Sequence, residues 1–292
     1  VISFTGCFGD AIASTNLLEI LDYLISIGAS MFIQTNGDFK PPEFFEEIAK
    51  LFARDKRERS GIEFSVDGLE DTNHIYRINT DFNRIMKNAE AFINAGGRAR
   101  WNFILFDHMK HQREQIIQRA KDMGFKSVVI KKILRRLATG TQYHKNMYER
   151  VYHGDDEFND LLDQYGTYEN YVNHSQIECI FKNTGQIYID HQLDLWPCTI
   201  LGGVKYFNVR SDHILKQQIN KLIEKYGEGF NSLKTQTIED VLNHPWFKND
   251  LEESWCNKVS DENFKLVQCA KSCGHFIRLS GCAAENKEVI IF

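Results

Sequence analysis

At 292 residues, the chain is long enough for about two domains by the usual prior of ~150 residues each, and long enough to bury a full core. Its 42% hydrophobic and 26% charged residues, with only 4 Pro, exclude disordered and collagen-like classes. The net charge of -5 and a pI near 6.1 weigh against a nucleic-acid face. No apolar run reaches the ~18 to 20 residues of a membrane span, and no basic-then-apolar signal opens the chain, so a cytoplasmic protein without membrane contact is expected.

Along residues 1 to about 133, short β-branched or aromatic runs alternate with helical periodicity at roughly the ~30-residue spacing of a βα unit. Strands are predicted at Ile2–Thr5, Met31–Gln34, Ile62–Ser65, Ala99–Phe106 and Val128–Lys132. Leu17, Leu18, Leu21, Leu24 and Ile25 form the apolar stripe of the first helix. Pro41 and Pro42 open the second. Ile85, Met86, Ala89, Phe92 and Ile93 mark the third, which Gly96-Gly97 stops. Ile116, Ile117, Ala120 and Met123 mark the fourth. Strict alternation predicts an α/β fold with parallel strands and right-handed crossovers, either a barrel or a doubly wound sheet.

Near residue 133 the rhythm breaks. Lys131, Lys132, Arg135 and Arg136 lead into a polar bridging stretch that runs to about 174, and the basic cluster reads as a solvated face. Beyond it come a hairpin from Gln186–Asp190 to Leu195–Cys198, helices near Leu215–Lys225 and Ile238–Asn243, and a cysteine-rich tail. In Phe230–Phe247, Trp246 and Phe247 read as core. Of 7 Cys, Cys7 stands alone at the front, while Cys179, Cys198, Cys256, Cys269, Cys273 and Cys282 cluster late. An odd count without a secretory signal disfavours a disulfide framework and suits metal ligands or plain buried thiols.

In parallel α/β folds the ligand sits at the carboxyl ends of the strands. Those ends are polar here: Thr5-Gly6-Cys7-Phe8-Gly9-Asp10, Thr35-Asn36-Gly37 and Ser65-Val66-Asp67-Gly68, with Asn102 inside the fourth strand. The set suits a small ligand with an amine, a carboxylate or a ribose. Each piece alone is also an ordinary turn dipeptide.

Taken in order, and with Tyr76-Arg77 downstream, these segments resemble the core of radical S-adenosylmethionine (SAM) enzymes, particularly those with a SPASM or shorter twitch extension. The resemblance spans nearly the whole chain. It implies that Gly6, Gly9 and Asp10 bind the methionine amino group, that Ser65 and Asp67 contact ribose or carboxylate, and that Arg77 binds the methionine carboxylate. Asn36 and Asn102 would line the cavity and Ile130 would lie beside adenine. For Arg77, a helix-surface ion pair is the alternative.

One defining feature of that family is missing. A Cys-x3-Cys-x2-Cys loop holds its SAM-binding [4Fe-4S] cluster, and no such triplet occurs in these residues. The five strands match the family's second to sixth. The expectation is a partial (β/α)6 TIM-like barrel over 1–140, a bridge over 141–174 and a small cysteine-rich α+β domain over 175–292. The first strand and its cluster loop would belong to a longer parent, so the chain by itself would not generate a radical.

In the tail, Cys179 before the hairpin, Trp196-Pro197-Cys198 after it, and the pair Cys269 and Cys273 resemble a SPASM or twitch domain. The resemblance implies that these four thiolates hold an auxiliary [4Fe-4S] cluster, with Cys256 and Cys282 in reserve. Four thiolates also suit structural zinc, and buried reduced thiols need no metal. The implied parent reaction is reductive cleavage of SAM and hydrogen abstraction from a peptide or small-molecule substrate, with flavodoxin or ferredoxin as reductant. A metal-binding or partner-docking protein that keeps only the fold is the second reading.

Overall fold

The computed structural model describes residues 1–6, 9–132, 164–206, 213–274 and 287–292. Cys7, Cys282 and most of the predicted bridge lie outside them. The chain divides into two compact units, Val1–Leu134 with Ala284–Phe292, and Arg135–Ala283.

The first unit holds a six-stranded sheet. Its strands are β1 (Ile2–Phe4), β2 (Met31–Thr35), β3 (Gly61–Ser65), β4 (Ala99–Leu105), β5 (Ser127–Lys132) and a last strand, Lys287–Ile291. The first five are parallel and stand side by side in chain order, and the last pairs antiparallel with β5. A doubly wound sheet would reverse direction part-way, and this one does not. The sheet does not close among the described residues, so a barrel is not formed by them; β1 and Lys287–Ile291 are its edges. The sequence reading left Val289-Ile290-Ile291 in the cysteine-rich domain. Their run was too short and too remote from the βα period to signal a sixth strand.

Sequential right-handed crossovers put every connecting helix on the same face. These are α1 (Leu17–Ser26), α2 (Pro42–Phe52), α4 (Phe82–Asn94) and α5 (Arg113–Asp122), with the short α3 (Asn73–Tyr76) between α2 and α4. Asp81 caps α4 by accepting from the Arg84 N–H at 3.1 Å. Because side chains alternate along a strand, Met31, Ile33, Ile62, Phe64, Ala99, Trp101, Phe103, Val128 and Ile130 share the helix-covered face. All are at most 1% exposed. Phe64 packs on Phe45 of α2 at 5.8 Å and on Phe92 of α4 at 6.2 Å. Each such buried aromatic stabilises the unit by roughly 1.5–3 kcal/mol.

Among its described residues the second unit has one two-stranded ribbon, Tyr188–Ile189 with Leu195–Trp196, and is mostly helical. Asp190 ties the hairpin turn. Its carboxylate accepts from the Gln192 and Asp194 N–H groups, the Trp196 indole at 3.2 Å and the Tyr206 hydroxyl at 2.6 Å. Trp196, Phe230 and Trp246 form the aromatic centre of the core, with ring centroids 5.4 Å apart for Phe230–Trp246 and 6.3 Å for Trp196–Trp246. The helices Ile214–Tyr226 and Ile238–Asn243 agree with the periodicity of the sequence, and a Thr237–Asp240 capping box opens the second. Among the described residues no helix is long and apolar enough to cross a membrane.

Candidate functional site

In the first unit the sheet face opposite the helices carries polar residues. Strand register lines up Gln34, Glu63 and Arg100 on this face. Gln34 Nε2 donates to Glu63 Oε1 at 3.1 Å, Arg100 Nη1 lies 3.5 Å from Glu63 Oε2, and Arg100 Nε donates to Ser127 Oγ at 3.2 Å. Sequence reasoning missed this row. A charged residue centred in Gly61-Ile62-Glu63-Phe64-Ser65 was the available signal, because a carboxylate inside an apolar strand must have a partner.

One register step further toward the carboxyl ends, Ser65 stands opposite Asn102. Asn102 Nδ2 donates to Ser65 Oγ at 3.4 Å, while its buried Oδ1 has no donor. These two predicted site residues are therefore brought together. Ile130 is not with them: the register places it beside Phe103 on the helix-covered face, and Val129 is the residue that shares the side of Asn102. Alternation moves a side chain to the other face with each single step.

The predicted carboxylates and their neighbours serve as ties within the unit. Asp10 Oδ2 accepts from Thr35 Oγ1 at 2.7 Å and from the Asn36 N–H at 3.0 Å, and its Oδ1 accepts from the Ile12 N–H at 3.0 Å. Asn36 Oδ1 in turn accepts from the Asp38 N–H at 3.0 Å. A Cβ on Gly6 would fall 1.7 Å from the Gly9 carbonyl oxygen, so the loop closes on itself there, whereas a Cβ on Gly9 would meet open space.

Asp67 is fully buried. It accepts from Arg77 Nε and from the Ile104 N–H, both at 2.5 Å, and its own N–H donates to Asn73 Oδ1. Burial pushes its carboxyl above the usual range, and Arg77 with the Ile104 N–H draws it only part of the way back. The Arg77 guanidinium also lies over the Tyr76 ring at 5.4 Å. Arg77 thus has an ion-pair partner, one that is buried and not on a helix surface. Gly68, at φ +136°, turns the chain into this clamp.

In the second unit Cys179, Cys198, Cys269 and Cys273 line one pocket. Three local structures bring them there. Cys269 and Cys273 lie four residues apart on the helix Val267–Cys273, hence on one face. Glu178 N–H donates to the Cys273 carbonyl at 2.9 Å, and Ile177 bridges Gly274, which sets Cys179 beside that helix end. The hairpin delivers Cys198, whose Sγ accepts from the Leu201 N–H at 3.3 Å. Cys256 is exposed and is not in the lining.

The remaining wall is mostly apolar, from Ile177, Pro197, Ile200, Leu201, Leu251 and Trp255. A hydrogen bond from the Cys273 thiol lowers Cys179 to about 6 against the opposing effect of burial, with help from the Lys182 and Phe181 N–H groups. Cys273, which keeps that proton, is pushed up, and burial pushes Cys269 well up. Four sulfurs in a dry cup are a donor set for a soft metal or an iron-sulfur cluster. Among the described residues, no group of three or more His, Cys, Asp or Glu side chains is already placed to hold a single metal ion.

No protein-family profile and no curated protein matches the chain. Among solved structures it is similar to Streptococcus suis SuiB, with a TM-score of 0.44 at 14% identity over 71% of this chain and 52% of that one. SuiB bound to S-adenosylmethionine gives 0.44 at 15% identity over 70% and 50%. SuiB bound to its precursor peptide SuiA gives 0.45 at 14% identity over 71% and 50%. The chain spans about half the length of these solved proteins.

Proposed function

We propose that the chain is part of a radical SAM-type enzyme: an open segment of the barrel in the first unit, and a twitch-type domain with one auxiliary [4Fe-4S] cluster in the second. The observation that carries this reading is the meeting of Cys179, Cys198, Cys269 and Cys273 around one apolar pocket, although they come from three separate stretches of sequence. Their placement fits the group. The thiolates would bind iron, the apolar wall would keep water from the sulfides, and the cluster would supply electron transfer or a ligation point for substrate.

For the first unit the support is the sequential parallel order and the polar pair at the strand ends. The unpaired Asn102 Oδ1 suits an occupant that donates a hydrogen bond, such as a ribose hydroxyl or an amine. We assign the SAM-facing contacts to Ser65, Asn102 and the backbone at Gly6 and Gly9, and give Asp67 and Arg77 the task of fixing the end of β3 against β4. Reductive cleavage of SAM would require the three-cysteine cluster loop, which these residues do not contain; a longer parent chain or a partner would supply it. A peptide or small-molecule substrate and a flavodoxin or ferredoxin reductant follow from the sequence resemblance alone.

The test is a cysteine series reconstituted anaerobically with iron and sulfide. Cys198→Ala and Cys273→Ala should each lose the cluster, falling from about four iron per chain to near none, while Cys256→Ala keeps it. Equal iron in all three would overturn the ligand assignment.

A further inference from the structure

Among the described residues that line the cysteine pocket, Trp255 carries a strong hydrogen-bond donor without a well-formed acceptor. Its Nε1 is buried and closes no hydrogen bond of good geometry, its one partner being the Cys269 thiol. Two other indoles behave differently: Trp101 Nε1 donates to the Val66 carbonyl at 3.0 Å and Trp196 Nε1 to Asp190 at 3.2 Å. A buried N–H held only by a poorly aligned thiol is unfavourable, so its place here suits a stronger acceptor at the same sulfur. The backbone around it is fixed, since the Trp255 N–H closes on the Glu252 carbonyl at 3.0 Å and the preceding Leu251 and Ser254 are buried.

The acceptor can be identified by its chemistry. The indole shares the pocket with four sulfurs, and the one its N–H meets is Cys269. A hydrogen bond to a cluster sulfur stabilises the reduced, more negative state and raises the reduction potential. An indole is also a donor that cannot accept, so it meets no competing role at an anionic cluster.

We propose that Trp255 is a positioning residue for the cluster, its indole N–H donating to the Cys269 thiolate or to an adjoining sulfide and setting the cluster's potential. This rests on the cluster reading above, and goes beyond it by naming a residue outside the ligand set. No sequence motif marks Trp255; the signal is the orphaned donor.

The experiment compares the wild-type chain with Trp255→Phe, both reconstituted anaerobically, by iron and sulfide content, redox titration and pulsed paramagnetic resonance of the reduced cluster with tryptophan labelled by nitrogen-15 in the indole ring. At the wild-type midpoint, the ratio of reduced to oxidised cluster should fall about tenfold in Trp255→Phe, equivalent to ~59 mV for a one-electron couple. The labelled wild type should show a nitrogen-15 coupling that vanishes in the variant. If the wild type holds an iron-sulfur cluster but shows no such coupling, the Trp255 assignment is overturned while the cluster reading stands. If the wild type forms no iron-sulfur cluster, both fail. Should Trp255→Phe lose its cluster altogether, the coupling in the wild type decides alone.

Discussion

The two units differ in what their buried reactive groups meet: carboxylates with protein donors in the first, thiols beside thiols in the second. In the first, the buried or half-buried carboxylates Asp10, Asp55, Asp67 and Glu63 all have protein partners, from backbone N–H groups, hydroxyls or arginines. In the second, the four pocket cysteines satisfy one another only in part, and an indole N–H beside them is left over. Carboxylates met as in the first unit need no ligand to be buried, whereas Asn102 Oδ1 in the same unit is left without a donor. The second unit instead gathers four thiols and an indole N–H in one apolar pocket, the donor set on which the proposed cluster rests.

That contrast can be broken at three levels. The largest effect is expected in the cysteine series, where loss of a ligand should abolish the cluster and destabilise the second unit while leaving the sheet unit's unfolding unchanged. Next is Asp67→Ala, which removes a fully buried carboxylate from the partly exposed Arg77 and from the Ile104 N–H. Denaturant unfolding of the first unit should show a loss of about 3–5 kcal/mol, the usual cost of breaking one half of a buried pair. A loss below ~1 kcal/mol, the range of surface pairs, would show the clamp to be dispensable.

A smaller effect belongs to Asp55, which is 7% exposed. Burial opposes its ionisation, but the Ser60 hydroxyl, the Arg57 N–H, the Ser30 hydroxyl and the Arg59 N–H together outweigh that and hold its carboxyl well below the usual 3.8. A folded value below the unfolded one means stability that is full above about pH 4 and lost as the pH falls below it. Asp55→Asn should therefore cost roughly 1–3 kcal/mol at neutral pH and flatten the decline in stability below pH 4. An unchanged acid limb in urea titrations would contradict the assignment.

The strands of the first unit were legible because hydrophobic period and Gly or Pro punctuation reach the sequence directly. All five parallel strands lie within a residue or so of their predicted bounds. What escaped was long-range: Val289, Ile290 and Ile291 needed β5 to pair with, and nothing local names that partner. At the strand ends, residue type identified polar positions but not their use. Asp10 and Asp67 were read as ligand contacts, yet their oxygens are taken by backbone and side chains that converge only on folding. Ile130 was misplaced by one alternation. The four cysteines named from the resemblance do line one pocket, but nothing local in the sequence says what they hold. Trp255 was invisible, since an unsatisfied donor exists only in three dimensions.

The most direct measurement is iron, acid-labile sulfide and zinc per chain in the wild-type protein after anaerobic purification and reconstitution, with the visible and Mössbauer spectra recorded alongside. The account predicts about four iron and four sulfide per chain, the content of a Cys-ligated [4Fe-4S] cluster. Stoichiometric zinc, or no metal at all, would contradict it and leave the second unit as a structural domain.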